Sequence, residues 1–311
     1  MATKYLDGKT AIVTGAGRGI GAGIAKLMGE LGANVVVADF GGSVEGVGRE
    51  AGPADDTVNA ILAQGGKAVA NYADVSDHKQ AEELVRQALD TYGKLDILVN
   101  VAGILRERMI FNMSEQEWDD VIRVHLKGTY NTTHFASIHW RTQRQGGRLI
   151  SFSSGAAFGS AGQPNYAAAK AGLIGFAKSC ANALGRYGVT SNAILPGAAT
   201  RMTDRNLGNQ QATREGDAES ERVEGTFRDP ANVAPMVAWL SSDDAAHVTG
   251  RSFGVRGFEV VLYHDYVPER QIWWDSKWPI DKLFEVAPTL IFAGLEGPSG
   301  NRPAGAAATG A

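Results

Sequence analysis

Seven short apolar runs, TAIVTG, ANVVVAD, KAVANYAD, LDILVNVAG, RLISFSS, VTSNAILPG and RSFGVRG, alternate with segments of helical periodicity near residues 18–31, 54–64, 77–92, 115–142, 165–186 and 230–241. The runs carry Val, Ile and Leu almost continuously rather than at every second position. Strands of that kind are buried on both faces, as in a parallel sheet covered by helices. Repeated β-to-α alternation predicts an α/β chain with a doubly wound parallel sheet and helices on both sides. One helix start is well signed, since Ser114 and Glu117 form a capping box just ahead of Trp118.

At 311 residues, 44% of them hydrophobic, the chain can bury a full core. No linker-like change of composition precedes residue 263, so a single domain over 1–262 and an extension over 263–311 are expected. The formal net charge of -4, with no basic stripe, speaks against nucleic acid or an anionic membrane as partner. No apolar run is long enough for a membrane span or a signal-peptide core, and a cytoplasmic protein is expected. The single cysteine, Cys180, permits no internal disulfide and no cysteine metal cluster, and its helical spacing from Phe176 and Leu184 predicts simple burial. Small-molecule chemistry is the class that remains.

Ligands of doubly wound sheets bind beyond the carboxyl ends of the strands. After the first run comes TGAGRGIG, in which Gly15, Arg18, Gly19, Ile20 and Gly21 make a tight turn into a helix. Backbone N–H groups and the positive helix end there suit a pyrophosphate. Asp39 closes the second run, where a carboxylate accepts from both adenosine ribose hydroxyls and repels a 2'-phosphate. NAD is therefore expected over NADP, against the counter-signal of Arg18, whose guanidinium suits a 2'-phosphate. Asp74 and Val75 after the third run, and Asn100, Ala102 and Gly103 after the fourth, extend the same dinucleotide site.

The fifth run leads into SSGAAFGSAGQPNYAAAK, residues 153–170. Tyr166 and Lys170 stand at i and i+4 on one helix face, and Ser153 lies thirteen residues before the tyrosine. A neighbouring ammonium favours the ionised form of a phenol, which makes tyrosine a usable acid and base. Serine and tyrosine together hydrogen-bond one substrate oxygen, and the hydride moves to or from a nicotinamide.

These motifs resemble the short-chain dehydrogenase/reductase family over residues 5 to about 262. The resemblance rests on Thr14-Gly15, Gly19, Gly21, Asp74, Asn100 with Gly103, Ser153, Tyr166, Lys170 and Pro196-Gly197. It implies a Rossmann fold, nicotinamide binding and a Ser-Tyr-Lys mechanism in which the lysine also holds the nicotinamide ribose. It also implies Pro196 and Gly197 near the nicotinamide and Thr200 on its carboxamide. Where the family has asparagine on its long fourth helix, in a proton relay to the lysine, this chain has His125 in RVHLKGTY. A histidine there would serve the relay through a ring nitrogen or its backbone carbonyl, and would titrate near neutral pH.

FGGSVEGVG, GGKAVANYADV, AGILRERM, EQEWDDVIRVHLKG and TRMT resemble, more narrowly, the (3R)-hydroxyacyl-CoA dehydrogenase domain of peroxisomal multifunctional enzyme type 2, a relative also counted among 17β-hydroxysteroid dehydrogenases. That resemblance implies a ketone or secondary alcohol as substrate, such as a coenzyme A thioester or a steroid. The polar stretch 198–229 reads as a lid over the substrate. Arg106, Arg108, Arg201, Arg205 and Arg214 are candidates for coenzyme A phosphates, with solvated surface charge as the competing reading. Alternatives kept open are a 3-oxoacyl-carrier-protein reductase and a nicotinamide-binding sensor without turnover. The family also implies a homo-oligomer, dimer or homotetramer, through the fourth and fifth helices. The tryptophan-bearing 263–296 segment reads as an arm over its own site or a neighbouring subunit, and the Gly/Ala-rich end as disordered.

Overall fold

A computed structural model describes residues 4–198, 223–291, 293 and 294. Eight strands form one sheet: β1 (Thr10–Thr14), β2 (Asn34–Ala38), β3 (Lys67–Asn71), β4 (Ile97–Asn100), β5 (Gly147–Phe152), β6 (Val189–Gly197), β7 (Ser252–Arg256) and β8 (Glu259–Leu262). Their order is β3-β2-β1-β4-β5-β6-β7-β8. The first seven are parallel, and β8 returns antiparallel to β7. The order reverses between β1 and β4, so the ends of these two strands open a crevice at the switch point.

The continuous apolar runs are explained by burial on both faces. On β1, Val13 packs with Val35, Val37, Ile97 and Val99 on one side, and Ile12 with Val36, Leu98 and Leu149 on the other. The first layer is closed by α1 (Gly19–Glu30), α2 (Gly52–Ala63) and, later in the chain, α7 (Ala234–Ser241), the second by α3 (His78–Tyr92) and α5 (Gly128–Gln143). Between these, α4 (Glu115–Ile122) begins at the expected box: Ser114 Oγ accepts from Glu117 N, while Glu117 Oε2 accepts from Ser114 N at 2.9 Å. The long α6 (Pro164–Leu184) follows β5.

Two elements differ from the sequence reading. The helix expected over 115–142 is interrupted by a π turn at Arg123–Lys127, between α4 and α5, which periodicity alone does not reveal. Strand β8 is a short, wholly exposed hairpin return, EVVL, with no buried face to mark it.

The chain divides into two compact units, Met1–Tyr263 and His264–Ala311. In the second, α8 (Ile280–Leu290) follows a stretch in which the rings of Trp274 and Trp278 lie 5.1 Å apart. Arg270 Nη1 donates to the Ile291 carbonyl at 3.1 Å. Among the described residues no helix is long and apolar enough to cross a membrane.

Candidate active site

A cleft of about 330 Å³ opens at the carboxyl ends of β1, β2, β4, β5 and β6. It brings together Gly15, Arg18, Gly19, Ile20, Gly21, Asp39, Asp74, Val75, Ala102, Gly103, His125, Ser153, Tyr166, Lys170 and Pro196. The expected residues outside the lining are Asn100 and Gly197, and Thr200 lies outside the described residues.

The turn from β1 to α1 needs its glycines for space. Gly15 sits at φ +63, and a Cβ there would come within 2.8 Å of Ala102 Cα. A Cβ on Gly21 would run into the Gly15 carbonyl. The backbone is thus free to approach a ligand while α1 points its N-terminus at the cleft. Thr14 Oγ1 accepts from Val101 N at 3.1 Å and Ala102 N at 3.2 Å, which ties the β4 end to the same turn. Asn100 braces this arrangement from behind: it is buried, and its Oδ1 accepts from Thr132 Oγ1 of α5 at 2.7 Å.

Asp39 lines the cleft just beyond β2. Its Oδ2 accepts from Gly17 N and its Oδ1 from Gly41 N, both at 2.7 Å. A carboxylate has about four lone-pair sites, so acceptor capacity remains for two ribose hydroxyls. Asp74 is engaged differently. Its Oδ1 accepts from Ser76 N at 2.9 Å and Ser76 Oγ at 2.6 Å, and its Oδ2 lies 3.4 Å from Arg123. Its carboxylate therefore shapes the turn that presents Val75 to the cleft.

Another part of the cleft lining is built from β5 and α6. Lys170 is buried, and its Nζ donates to the Phe152 carbonyl at 2.5 Å and stands 5.4 Å from the centre of the Tyr166 ring. Burial brings its pKa down to about 7. The Tyr166 phenol is shifted the opposite way from the sequence expectation: burial raises its pKa, and a hydrogen bond from Ser154 lowers it in part. The reason is physical, because burial takes the phenolate out of water and so disfavours the charged form.

Two adjacent serines follow β5. Ser153 is buried, with its Oγ donating to the Lys170 carbonyl at 2.7 Å and its N–H to the Ile194 carbonyl at 2.7 Å. The hydroxyl that meets Tyr166 belongs to Ser154. β5 ends at Phe152, and both serines line the cleft: the Ser153 hydroxyl is spent on the Lys170 carbonyl of α6, and the Ser154 hydroxyl meets Tyr166.

His125 sits on the π turn, fully buried, with its ring edge-on to that of Tyr166 at 5.1 Å between centroids. Its Nε2 lies 2.7 Å from the Ile104 carbonyl and 3.1 Å from Ile104 N. These contacts need opposite tautomers, and we assign the proton to Nε2 from the shorter one. Nδ1 then has no partner. Burial, and secondarily the charge of Lys170, hold the His125 pKa well below its usual value, so the ring is neutral at neutral pH, contrary to the sequence expectation. Gly103 is obligatory beside it, since a Cβ there would overlap the imidazole.

Of the arginines considered for coenzyme A, Arg106 pairs with Asp120 at 3.4 Å and Arg108 with Glu117 at 2.9 Å. Glu117 is held at about 2, first by the Ser114 backbone N–H and then by Arg108. Arg201, Arg205 and Arg214, with most of the expected lid, lie outside the described residues. Cys180 lines no part of the cleft, and burial pushes its thiol up to about 11.

The comparisons with known proteins agree with this geometry. Residues 9–212 match the short chain dehydrogenase family model. The chain belongs to the short chain dehydrogenase family. It is 42% identical over 269 residues to hydroxyacyl-CoA dehydrogenase ChsB1 of Mycobacterium tuberculosis, covering 84% of this chain and 81% of that protein. It is 40% identical to peroxisomal multifunctional enzyme type 2 of Mus musculus over 75% of this chain, but spans only 30% of that protein. A 3-oxoacyl-[acyl-carrier-protein] reductase FabG of Staphylococcus aureus is 39% identical, with 80% and 97% of the two chains covered. Among solved structures, a short chain dehydrogenase from Mycobacterium avium superposes with a TM-score of 0.81 at 42% identity, covering 93% of this chain and 96% of that one. The chain is thus an oxidoreductase of a family that typically uses nicotinamide cofactors.

Proposed function

We propose that this protein is an NAD(H)-dependent dehydrogenase that interconverts a 3-hydroxyacyl thioester, of coenzyme A, and its 3-oxo form. The observation that carries the reading is the convergence of Ser154, Tyr166 and Lys170 at the strand ends, in the same cleft as a glycine-cradled turn and Asp39. The similarity to the hydroxyacyl-CoA dehydrogenase and to the multifunctional enzyme supports the substrate class.

The residues fit a nicotinamide dinucleotide. The β1–α1 turn and the α1 N-terminus would hold its pyrophosphate, Asp39 the adenosine ribose, and Val75 the adenine. Lys170 would hold the nicotinamide ribose, with Pro196 near the nicotinamide. When bound, the cofactor supplies or takes the hydride. Ser154 Oγ orients and polarises the substrate oxygen, and the Tyr166 hydroxyl gives or takes its proton. Lys170 favours the charged form of Tyr166 to the extent that it is itself protonated. Ser153 fixes the first turns of α6 under both side chains. Neutral His125 holds the Ile104 loop and the edge of the Tyr166 ring, and its open Nδ1 is an acceptor for a relay water.

Two further proposals belong to this reading. Asp39 makes NAD preferred over NADP. The exposed Trp118, Tyr130 and Ile138 of α4 and α5 form a face for a second copy of the chain, read out by light scattering coupled to size exclusion.

The deciding experiment is steady-state kinetics with NAD(H) and NADP(H) in parallel against 3-oxoacyl-CoA, 3-oxoacyl-carrier-protein, steroid ketones and simple ketones. NAD(H)-linked turnover of the coenzyme A thioesters is the expected result. Preference for the carrier-protein thioester would select the reductase reading, and cofactor binding with no turnover would select the sensor.

A further inference from the structure

The segment between β2 and α2 makes a second wall for the adenosine end, and it carries the Glu50 carboxylate close to its end. After Asp39 the chain turns at Gly41, φ +75, where any Cβ would run into the Glu50 carbonyl. The two ends of the segment therefore meet at this glycine. Between them, Ser43 N donates to the Val47 carbonyl at 2.8 Å, and Leu105 N donates to the Val44 carbonyl at 2.9 Å. Gly46, φ +80, packs against Ile104. The strap is thus pinned at Asp39 through Gly41 N and at the loop after β4 through Val44. Its folding delivers the Glu50 carboxylate to Arg18, with Oε2 3.4 Å from Nη2.

Arg18 and Asp39 line the same end of the cleft. A guanidinium there is the group that would recognise a 2'-phosphate, through a planar fork that matches its oxygens. Glu50 offers that guanidinium a carboxylate instead, and adds a negative charge that a 2'-phosphate must approach. We propose that Glu50 is a cofactor-selectivity residue that acts through Arg18, a second determinant, beside Asp39, against nicotinamide dinucleotides carrying a 2'-phosphate. The inference rests on the NAD reading of Asp39 and deepens it. Glu50 itself is 69% exposed at its side chain, so its effect is that of a screened surface pair, a factor of about 2 to 5 rather than of thousands.

The test uses Glu50→Gln, Arg18→Ala and their combination, each in the wild-type and Asp39→Asn backgrounds. Calorimetry reads the affinity for adenosine 2',5'-bisphosphate relative to 5'-AMP at two salt concentrations, and kinetics read kcat/KM for NADPH relative to NADH. Glu50→Gln should raise both ratios about 2- to 5-fold at low salt and less at high salt. In the Arg18→Ala background it should raise them by less than about twofold. Equal gains with and without Arg18, or no gain in either Asp39 background, would overturn the proposal. If Glu50→Gln loses the strap, seen as a lower melting temperature, Glu50→Asp should keep the wild-type ratios while Glu50→Ala changes them, and identical ratios for the two would overturn it. A wild-type chain that prefers NADPH, or an Asp39→Asn change without effect, would refute the NAD reading, while the dependence of the Glu50 effect on Arg18 would still decide the role of Glu50.

Discussion

Ser153 and Ser154 are adjacent, chemically identical and assigned opposite roles, so substituting each alone is a sharp test. Removing the Ser154 hydroxyl takes away one hydrogen bond to an oxygen whose charge changes during the reaction. Loss of such a donor costs about 10²–10³ in kcat, or about 2.7–4 kcal/mol. Ser154 is only partly buried and caps a short 3-10 turn through Ala156 N at 3.2 Å, so Ser154→Ala should melt close to wild type. Ser153→Ala is the reverse. It removes a buried 2.7 Å hydrogen bond to the Lys170 carbonyl, worth about 1–3 kcal/mol where a buried partner is left short. For a domain of this size that lowers the melting temperature by several degrees. Because the hydroxyl is spent on the Lys170 carbonyl, kcat should fall less than about fivefold. The assay is NADH-linked reduction of a 3-oxoacyl-CoA, with thermal melting of the same samples. A thousandfold loss in Ser153→Ala beside a nearly intact Ser154→Ala would refute the assignment.

Other consequences follow from the same geometry. Gly103→Ala should be both unstable and inactive, because its Cβ overlaps His125, and a melting temperature and kcat like wild type would contradict the packing. Lys170 binds fewer protons in the folded chain than in the unfolded one between about pH 7 and its ordinary pKa near 10.4. Stability should therefore rise with pH across that window, and this slope should vanish in Lys170→Met. Melting curves at several pH values check it, and a falling slope would contradict the burial. His125, neutral at neutral pH, should give no inflection in the pH-rate profile between pH 6.5 and 9, and an inflection lost in His125→Asn would show a titrating ring. Asp39→Asn should raise kcat/KM for NADPH relative to NADH.

The fold was legible because burial on both faces writes the same signal into each parallel strand, as Ile12 and Val13 show by packing into opposite layers. Glycines whose Cβ would strike backbone, such as Gly15 and Gly21, marked the cofactor turn for the same steric reason. What escaped lies one residue beyond periodicity. The choice between Ser153 and Ser154 depends on where β5 ends, and the π turn under His125 depends on tertiary packing. Asn100 was expected in the cleft, yet its amide is spent on α5 threonines, a choice only the neighbouring helix decides. The pKa shifts escaped for a related reason. Burial of Lys170 by the Phe152 strand end outweighs the local pairing that an i, i+4 spacing suggests.

The most direct test of the central claim is Tyr166→Phe, assayed for NADH binding by fluorescence and for turnover of a 3-oxoacyl-CoA. The account predicts NADH affinity within about threefold of wild type and turnover reduced by at least about 10³, since the hydroxyl that gives or takes the proton of the substrate oxygen is gone. Turnover by Tyr166→Phe at the wild-type rate would contradict it.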